Sequence, residues 1–193
     1  MSSRADYPAH LAEHGHSPEA VRMSAAGQRF RFEKLLEIGD LDGRRVLDLG
    51  CGCGHFYPVL TGRYPRVSYV GIDVAAELVA AAAAAYPDGR FVERDVLRDG
   101  IEGRYDYVLM SALFNDPEPD AWEFLCSMLE VAFAHAAIGI GFNFISTYVN
   151  TVDGDLAYHD PVRVADFVLR TLTRRVSVHH HYERCDVAVF AYR

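Results

Sequence analysis

The run Val46-Leu47-Asp48-Leu49-Gly50-Cys51-Gly52-Cys53-Gly54 restricts the possible folds more than any other segment. An apolar strand passes into Gly-x-Gly-x-Gly, and a helical stretch follows over 56–63. Glycines at the carboxyl end of a strand leave bare backbone, and a Cβ there would hold a ligand off. A dinucleotide loop would instead space its glycines Gly-x-Gly-x-x-Gly to seat a pyrophosphate on the helix N-terminus. Here the third glycine comes one position early, and His55 stands in its expected place.

Strands and helices alternate on either side of this loop. Apolar runs predict strands at 45–49, 68–72, 90–93, 105–110 and 137–144, with helices over 56–63, 75–86 and 120–135. Ser17-Pro18-Glu19 reads as the start of a helix running to Gly39, with a break near Gly27. Asp160-Pro161 opens another, to about Arg170. Two β runs, 175–181 and 186–192, close the chain as a hairpin. The segment 97–103 reads as a loop, and the polar first sixteen residues as a loose arm or lid. Alternation of this kind requires a parallel sheet covered by helices on both faces.

Length and charge narrow the function. A chain of 193 residues, half of them hydrophobic, suits one domain over 1–193. Its longest apolar stretch, 75–86, is too short to span a bilayer, and the N-terminus lacks a secretory h-region. Cys51 and Cys53 are too close to bridge comfortably, and Cys126 and Cys185 are isolated, so reduced thiols and a cytoplasmic location are expected. A net charge of −8 disfavours a nucleic-acid partner.

Acids recur at the strand ends. Asp48 precedes the first glycine by two positions and can attract a cationic group. Asp73 follows Asp48 by 25 residues at the end of the second strand, where a carboxylate can accept from two ribose hydroxyls. Asp95 follows the third strand, where an acid can accept from an adenine amino group while the next backbone N–H donates to the ring. Ser111 follows the fourth.

In this order and spacing, the four motifs resemble the class I S-adenosylmethionine (SAM)-dependent methyltransferases over about 45–144. The resemblance implies a Rossmann-like, doubly wound, mostly parallel seven-stranded α/β sheet with a C-terminal antiparallel hairpin. It also implies SAM as cofactor. Asp48, Gly50 and Gly52 would then line the methionyl end, Asp73 the ribose, Asp95 with Val96 the adenine, and Ser111 the amino-acid end, with Cys51, Gly54 and Val74 also contacting the cofactor. The flanks, Gln28-x-Phe30-x-Phe32 and the tail from Phe142 to Pro161, are similar to small bacterial methyltransferases that act on metabolites.

The expected activity is methyl transfer to oxygen or nitrogen of a small metabolite. An RNA or protein methyltransferase, a non-catalytic SAM-binding module and a dehydrogenase are the alternatives. The first is weakened by the charge and by Ser111-Ala-Leu-Phe-Asn standing where Asn/Asp-Pro-Pro-Tyr would be. The acceptor is expected to meet Tyr7, Phe114, Asn115, Asn143 and Tyr148. No motif selects a general base; Tyr148, His159 and His179 are the candidates. Cys51-x-Cys53-x-His55 has the wrong spacing for a structural zinc site, and His179-His180-His181 on a strand cannot all face one metal, so no metal is expected. With little chain between the third and fourth strands, the expected cover of the site is residues 1–38 or the 145–160 stretch after the fifth strand, with deletion of 1–16 expected to spare SAM binding and lower methyl transfer.

Overall fold

A computed structural model describes residues 7–117, 119–182 and 185–193. Seven strands form one sheet in the order β3-β2-β1-β4-β5-β7-β6. These are β1 (Arg45–Leu49), β2 (Ser68–Asp73), β3 (Arg90–Glu93), β4 (Tyr105–Met110), β5 (Ala136–Ile145), β6 (Arg175–His179) and β7 (Asp186–Tyr192). The pairs β1–β2, β1–β4, β2–β3 and β4–β5 are parallel, whereas β7 runs antiparallel to both β5 and β6. The doubly wound, mostly parallel sheet with an antiparallel C-terminal pair is as the sequence predicts. Between β1 and β4 the strand order reverses, which opens a crevice at the carboxyl ends of those strands.

Side chains alternate across the sheet and build a core on each face. Leu47 and Leu49 of β1 join Val108, Met110, Phe142 and Val189 on one face, beneath α6 (Ala121–His135) and α7 (Pro161–Phe167). Val46 joins Leu109 and Phe190 on the other, beneath α2 (Ala25–Leu35) and α3 (Phe56–Arg63). Here Phe32 of α2 stacks on Phe56 of α3 at 4.5 Å, and Arg31 forms a two-pronged ion pair with Asp186 of β7 at 2.8 Å.

Several local expectations change. Residues 7–16 are not a loose arm: α1 (Tyr7–His14) packs Tyr7 and Leu11 against Ala20, Cys53 and Leu78. Residues 1–6 of that predicted arm lie outside the described residues. The helix expected over 17–39 is three pieces. A short turn, Pro18–Val21, ends at Arg22 with φ 57°, and Ser24 then caps α2 by accepting from Gly27 N at 3.1 Å. The expected loop at 97–103 contains a four-residue helix, α5 (Val96–Asp99), because Asp95 caps its first turn. The strand expected to reach His181 stops at His179. Helix α4 (Ala76–Ala85) follows β2 as predicted.

Candidate active site

A cavity of about 270 Å³ opens at the carboxyl ends of β1, β2, β3 and β4. Its floor is the glycine loop. Gly50 N and Cys51 N both donate to Ile72 O of β2, at 2.8 and 3.1 Å, which fixes the loop over the sheet. Gly50 has φ 75°, a conformation that favours glycine, and a Cβ there would lie 2.7 Å from Leu113 Cδ1 and displace that side chain. Gly54 departs from its expected role. A Cβ at this position would meet Phe91 at 2.7 Å, so Gly54 serves helix-to-sheet packing and does not line the cavity.

The three acids line the cavity, each with protein contacts of its own. Asp48 is 2% exposed and accepts from Tyr69 Oη at 2.8 Å. Burial raises its carboxyl to about 7, against the tyrosine hydrogen bond and with help from Asp73. Asp73 accepts from Gly52 N at 2.8 Å and from Ala75 N at 3.0 Å, tying the glycine loop to the start of α4. Asp95 accepts from Leu97 N and Arg98 N through Oδ1. Cys51, Gly52, Val74, Val96 and Ser111 complete the predicted set, and Ser111 Oγ is buried with no hydrogen-bond partner among the described residues.

The rim beyond β4 and β5 departs from expectation. Asn143 is fully buried, and its Oδ1 accepts from Ala112 N at 2.7 Å, holding Ala112 at φ 56°. Phe114 belongs to the core, and Asn115 is buried with its carbonyl accepting from Ala157 N. Of the base candidates, His159 is buried and its Nε2 donates to Phe114 O at 3.0 Å; burial lowers its pKa. Tyr148 is 63% exposed, its ring 6.3 Å from that of His180. His179 lies 3.5 Å from Glu37 and packs on Phe190. None of these six side chains lines the cavity. Residue type suggested their chemistry, but packing holds five of them away from the cavity and Tyr148 stands at the surface.

Tyr7 does reach the site. Its hydroxyl donates to Asp116 Oδ2 at 2.6 Å, with Arg22 3.7 Å from the other carboxylate oxygen. Burial and Asp116 together push the phenol pKa upward, so Tyr7 stays protonated. His16 Nε2 donates to Cys53 O at 2.8 Å, and Val21 and Met23 line the cavity from the same segment.

Sequence reasoning missed His55, Gln28 and Asp116. Gln28 Nε2 donates to His55 Nδ1 at 3.2 Å, and His55 lines the cavity. The signal was present: a histidine at the end of a glycine loop has to face either the ligand or the covering helix. It was weighed only as a metal ligand. Among the described residues, no group of three or more His, Cys, Asp or Glu could hold a metal ion. No helix there is long and apolar enough to cross a membrane.

Comparison with known proteins supplies the family. A sequence profile described as a methyltransferase domain matches residues 46–132. A methyltransferase of Mycobacterium tuberculosis is 30% identical over 151 residues, which span 75% of this chain and 90% of that protein. The trans-aconitate 2-methyltransferase of Escherichia coli is 30% identical over 120 residues, 62% of this chain; the match spans only 47% of that enzyme. Among solved structures, magnesium protoporphyrin IX methyltransferase from Synechocystis with bound S-adenosylhomocysteine (SAH) shares the fold. It has a TM-score of 0.70 at 15% identity and covers 100% of this chain and 95% of that one.

Proposed function

This chain belongs to the class I SAM-dependent methyltransferases, and we propose that it methylates oxygen or nitrogen of a small, non-anionic acceptor in the cavity beneath its N-terminal segment. The observation that carries this reading is the Tyr7–Asp116 hydrogen bond. It closes α1 over the glycine loop and leaves a cavity of about 270 Å³. Ligand sites commonly run to about 300–1,000 Å³, so this volume is accounted for by the cofactor, and it is the closed N-terminal segment that favours a compact acceptor over a polymer.

The residues present fit SAM. Gly50 and Gly52 leave backbone open on the floor, Ser111 Oγ lacks a partner among the described residues, and Asp48 is a buried carboxyl that a cation would help ionise. In this assignment Asp48 and Ser111 receive the amino-acid end, with Gly50, Cys51 and Gly52 beneath it. Asp73 and Val74 receive the ribose, and Asp95 with Val96 N the adenine. Bound SAM supplies a methyl group on a sulfonium, a leaving group that needs no acid assistance. The protein's part is then alignment and exclusion of water. Holding two reactants in line is worth roughly 7–11 kcal/mol in favourable systems.

Charge argues against anionic acceptors. Asp48, Asp73, Asp95 and Asp116 line the cavity; Arg22 faces Asp116 and burial holds Asp48 partly protonated, but the one arginine among the lining residues, Arg94, pairs with Glu102, so Asp73 and Asp95 keep the cavity negative. A polycarboxylate would meet repulsion there, unlike an amine or a neutral hydroxyl compound. The test is incubation with SAM and either a metabolite extract, RNA or protein, scored for SAH. Production with the metabolite extract is expected. Production with RNA or protein alone would overturn the reading.

A further inference from the structure

His55 is held from two sides at the first turn of α3. Gln28 Nε2 donates to its Nδ1 at 3.2 Å, and the His16 ring stands edge-on at a centroid distance of 4.6 Å. An amide nitrogen only donates, so Nδ1 is the accepting nitrogen and the ring proton resides on Nε2. That Nε2–H is buried, has no hydrogen-bond partner among the described residues, and belongs to a ring that lines the cavity. Leaving such a donor unpaired costs about 1–3 kcal/mol, so the arrangement is complete only with a ligand.

Charge and position narrow that ligand. Burial first, and the neighbouring His16 second, lower the imidazole to about 4, with Glu19 opposing, so the ring is uncharged at neutral pH. It is therefore a neutral donor there, neither a cation for a carboxylate nor a base. Gln28, Phe32 and His55 also line a second, shallower cleft beside Ala25, Pro58 and Val59 of α2 and α3. The three side chains stand between that cleft and the cofactor cavity, and Phe32 offers one aromatic face.

Resting on the small-acceptor reading above, we propose that His55 is an acceptor-binding residue. Its Nε2–H donates to a carbonyl or ring-nitrogen lone pair of an uncharged, aromatic-sized acceptor that enters between α2 and α3. Gln28 is the positioning residue that keeps the proton on Nε2. Cofactor contacts stay with the glycine loop and the strand-end acids.

The experiment follows the His55 ring nitrogens by NMR in ¹⁵N-labelled protein saturated with SAH. The probes are 4-hydroxyacetophenone and 3-hydroxypyridine, with benzoate as the anionic control. His55 is expected to remain an Nε2–H tautomer when SAH binds. At least one neutral probe should then shift Nε2 saturably, benzoate should not, and His55→Phe should weaken probe binding at least tenfold with SAH affinity unchanged. Gln28→Glu, whose carboxylate accepts from Nδ1–H, should move the proton and abolish the probe response. SAH binding with no saturable probe shift overturns the assignment alone, as does SAH itself occupying Nε2 so that probes no longer move it. Failure of SAH to bind overturns the cavity reading and this assignment together.

Discussion

Tyr7 and Asp116 lie 109 positions apart and are joined by a 2.6 Å hydrogen bond that draws the first helix across the mouth of the cavity. Asp116 also faces Arg22, so one carboxylate gathers two separate points of the N-terminal segment. The cover of the active site is thereby fastened to the loop after β4.

Loosening that fastening should free the ligand faster. Tyr7→Phe removes a hydrogen bond to a charged group, worth about 1.5–3 kcal/mol at most. Stopped-flow measurement should show SAH dissociating faster by about tenfold or more, with the melting temperature lowered by several degrees. An unchanged dissociation rate would mean that α1 does not gate the cavity.

Asp73 has two duties, and two substitutions separate them. Asp73→Ala should weaken SAM binding by about 1.5–3 kcal/mol, through loss of a charged acceptor for the ribose. It should also lower the melting temperature, because Gly52 N and Ala75 N lose their partner. Asp73→Asn keeps one accepting oxygen, so it should hold only one of these N–H groups and turn its own NH2 toward the other, losing part of the stability and still losing affinity. Calorimetry showing wild-type affinity in both variants would remove Asp73 from the cofactor site.

Asp48 makes stability depend on pH in an unusual direction for a carboxylate. Its carboxyl is raised from an ordinary value near 3.8 to about 7. Between those values the folded protein keeps a proton that the unfolded chain releases, so stability falls as pH rises through that window. Asp48→Asn should flatten this limb and stabilise the ligand-free protein at pH 8, by up to about 4 kcal/mol. The same change should weaken SAM binding, since a cation no longer finds a carboxylate. Denaturant melts at pH 5 and pH 8 check the first effect, and titration with SAM the second.

The base candidates should divide by burial. His159→Ala removes a buried ring and leaves Phe114 O without its donor, costing about 2–4 kcal/mol of stability. Tyr148→Phe and His179→Ala lie outside the cavity and should leave turnover within about twofold of wild type. A large loss of kcat in either would return that residue to the chemistry.

The sheet was legible because its strands are apolar runs bounded by turn residues, and the glycine loop announced the position of the site. Helix α5 was not, since four residues carry no periodicity, and Asp95 had been read only as a ligand although it also opens a helix. That the strand-end acids would line a cavity could be read because strand ends are fixed by topology. The acceptor side could not. Whether Asn143 or His159 faces a cavity or braces a loop depends on packing between segments far apart in sequence. Helix α1 was missed for a related reason: what orders it is Tyr7 and Leu11 resting on Ala20, Cys53 and Leu78.

The place of β7 between β5 and β6 also bears on how the protein comes into being. Strand β6 leaves the ribosome before β7 yet pairs with nothing except β7, and Gly139–Ile145 of β5 waits for the same partner. Until 186–192 emerge, β5 is an open edge whose residues 139–145 are all buried in the finished fold, and β6 has no seat. Such edges invite pairing with other chains. The sheet is therefore completed after translation of its last strand, and the nascent chain is most exposed to aggregation in the interval between β5 and β7.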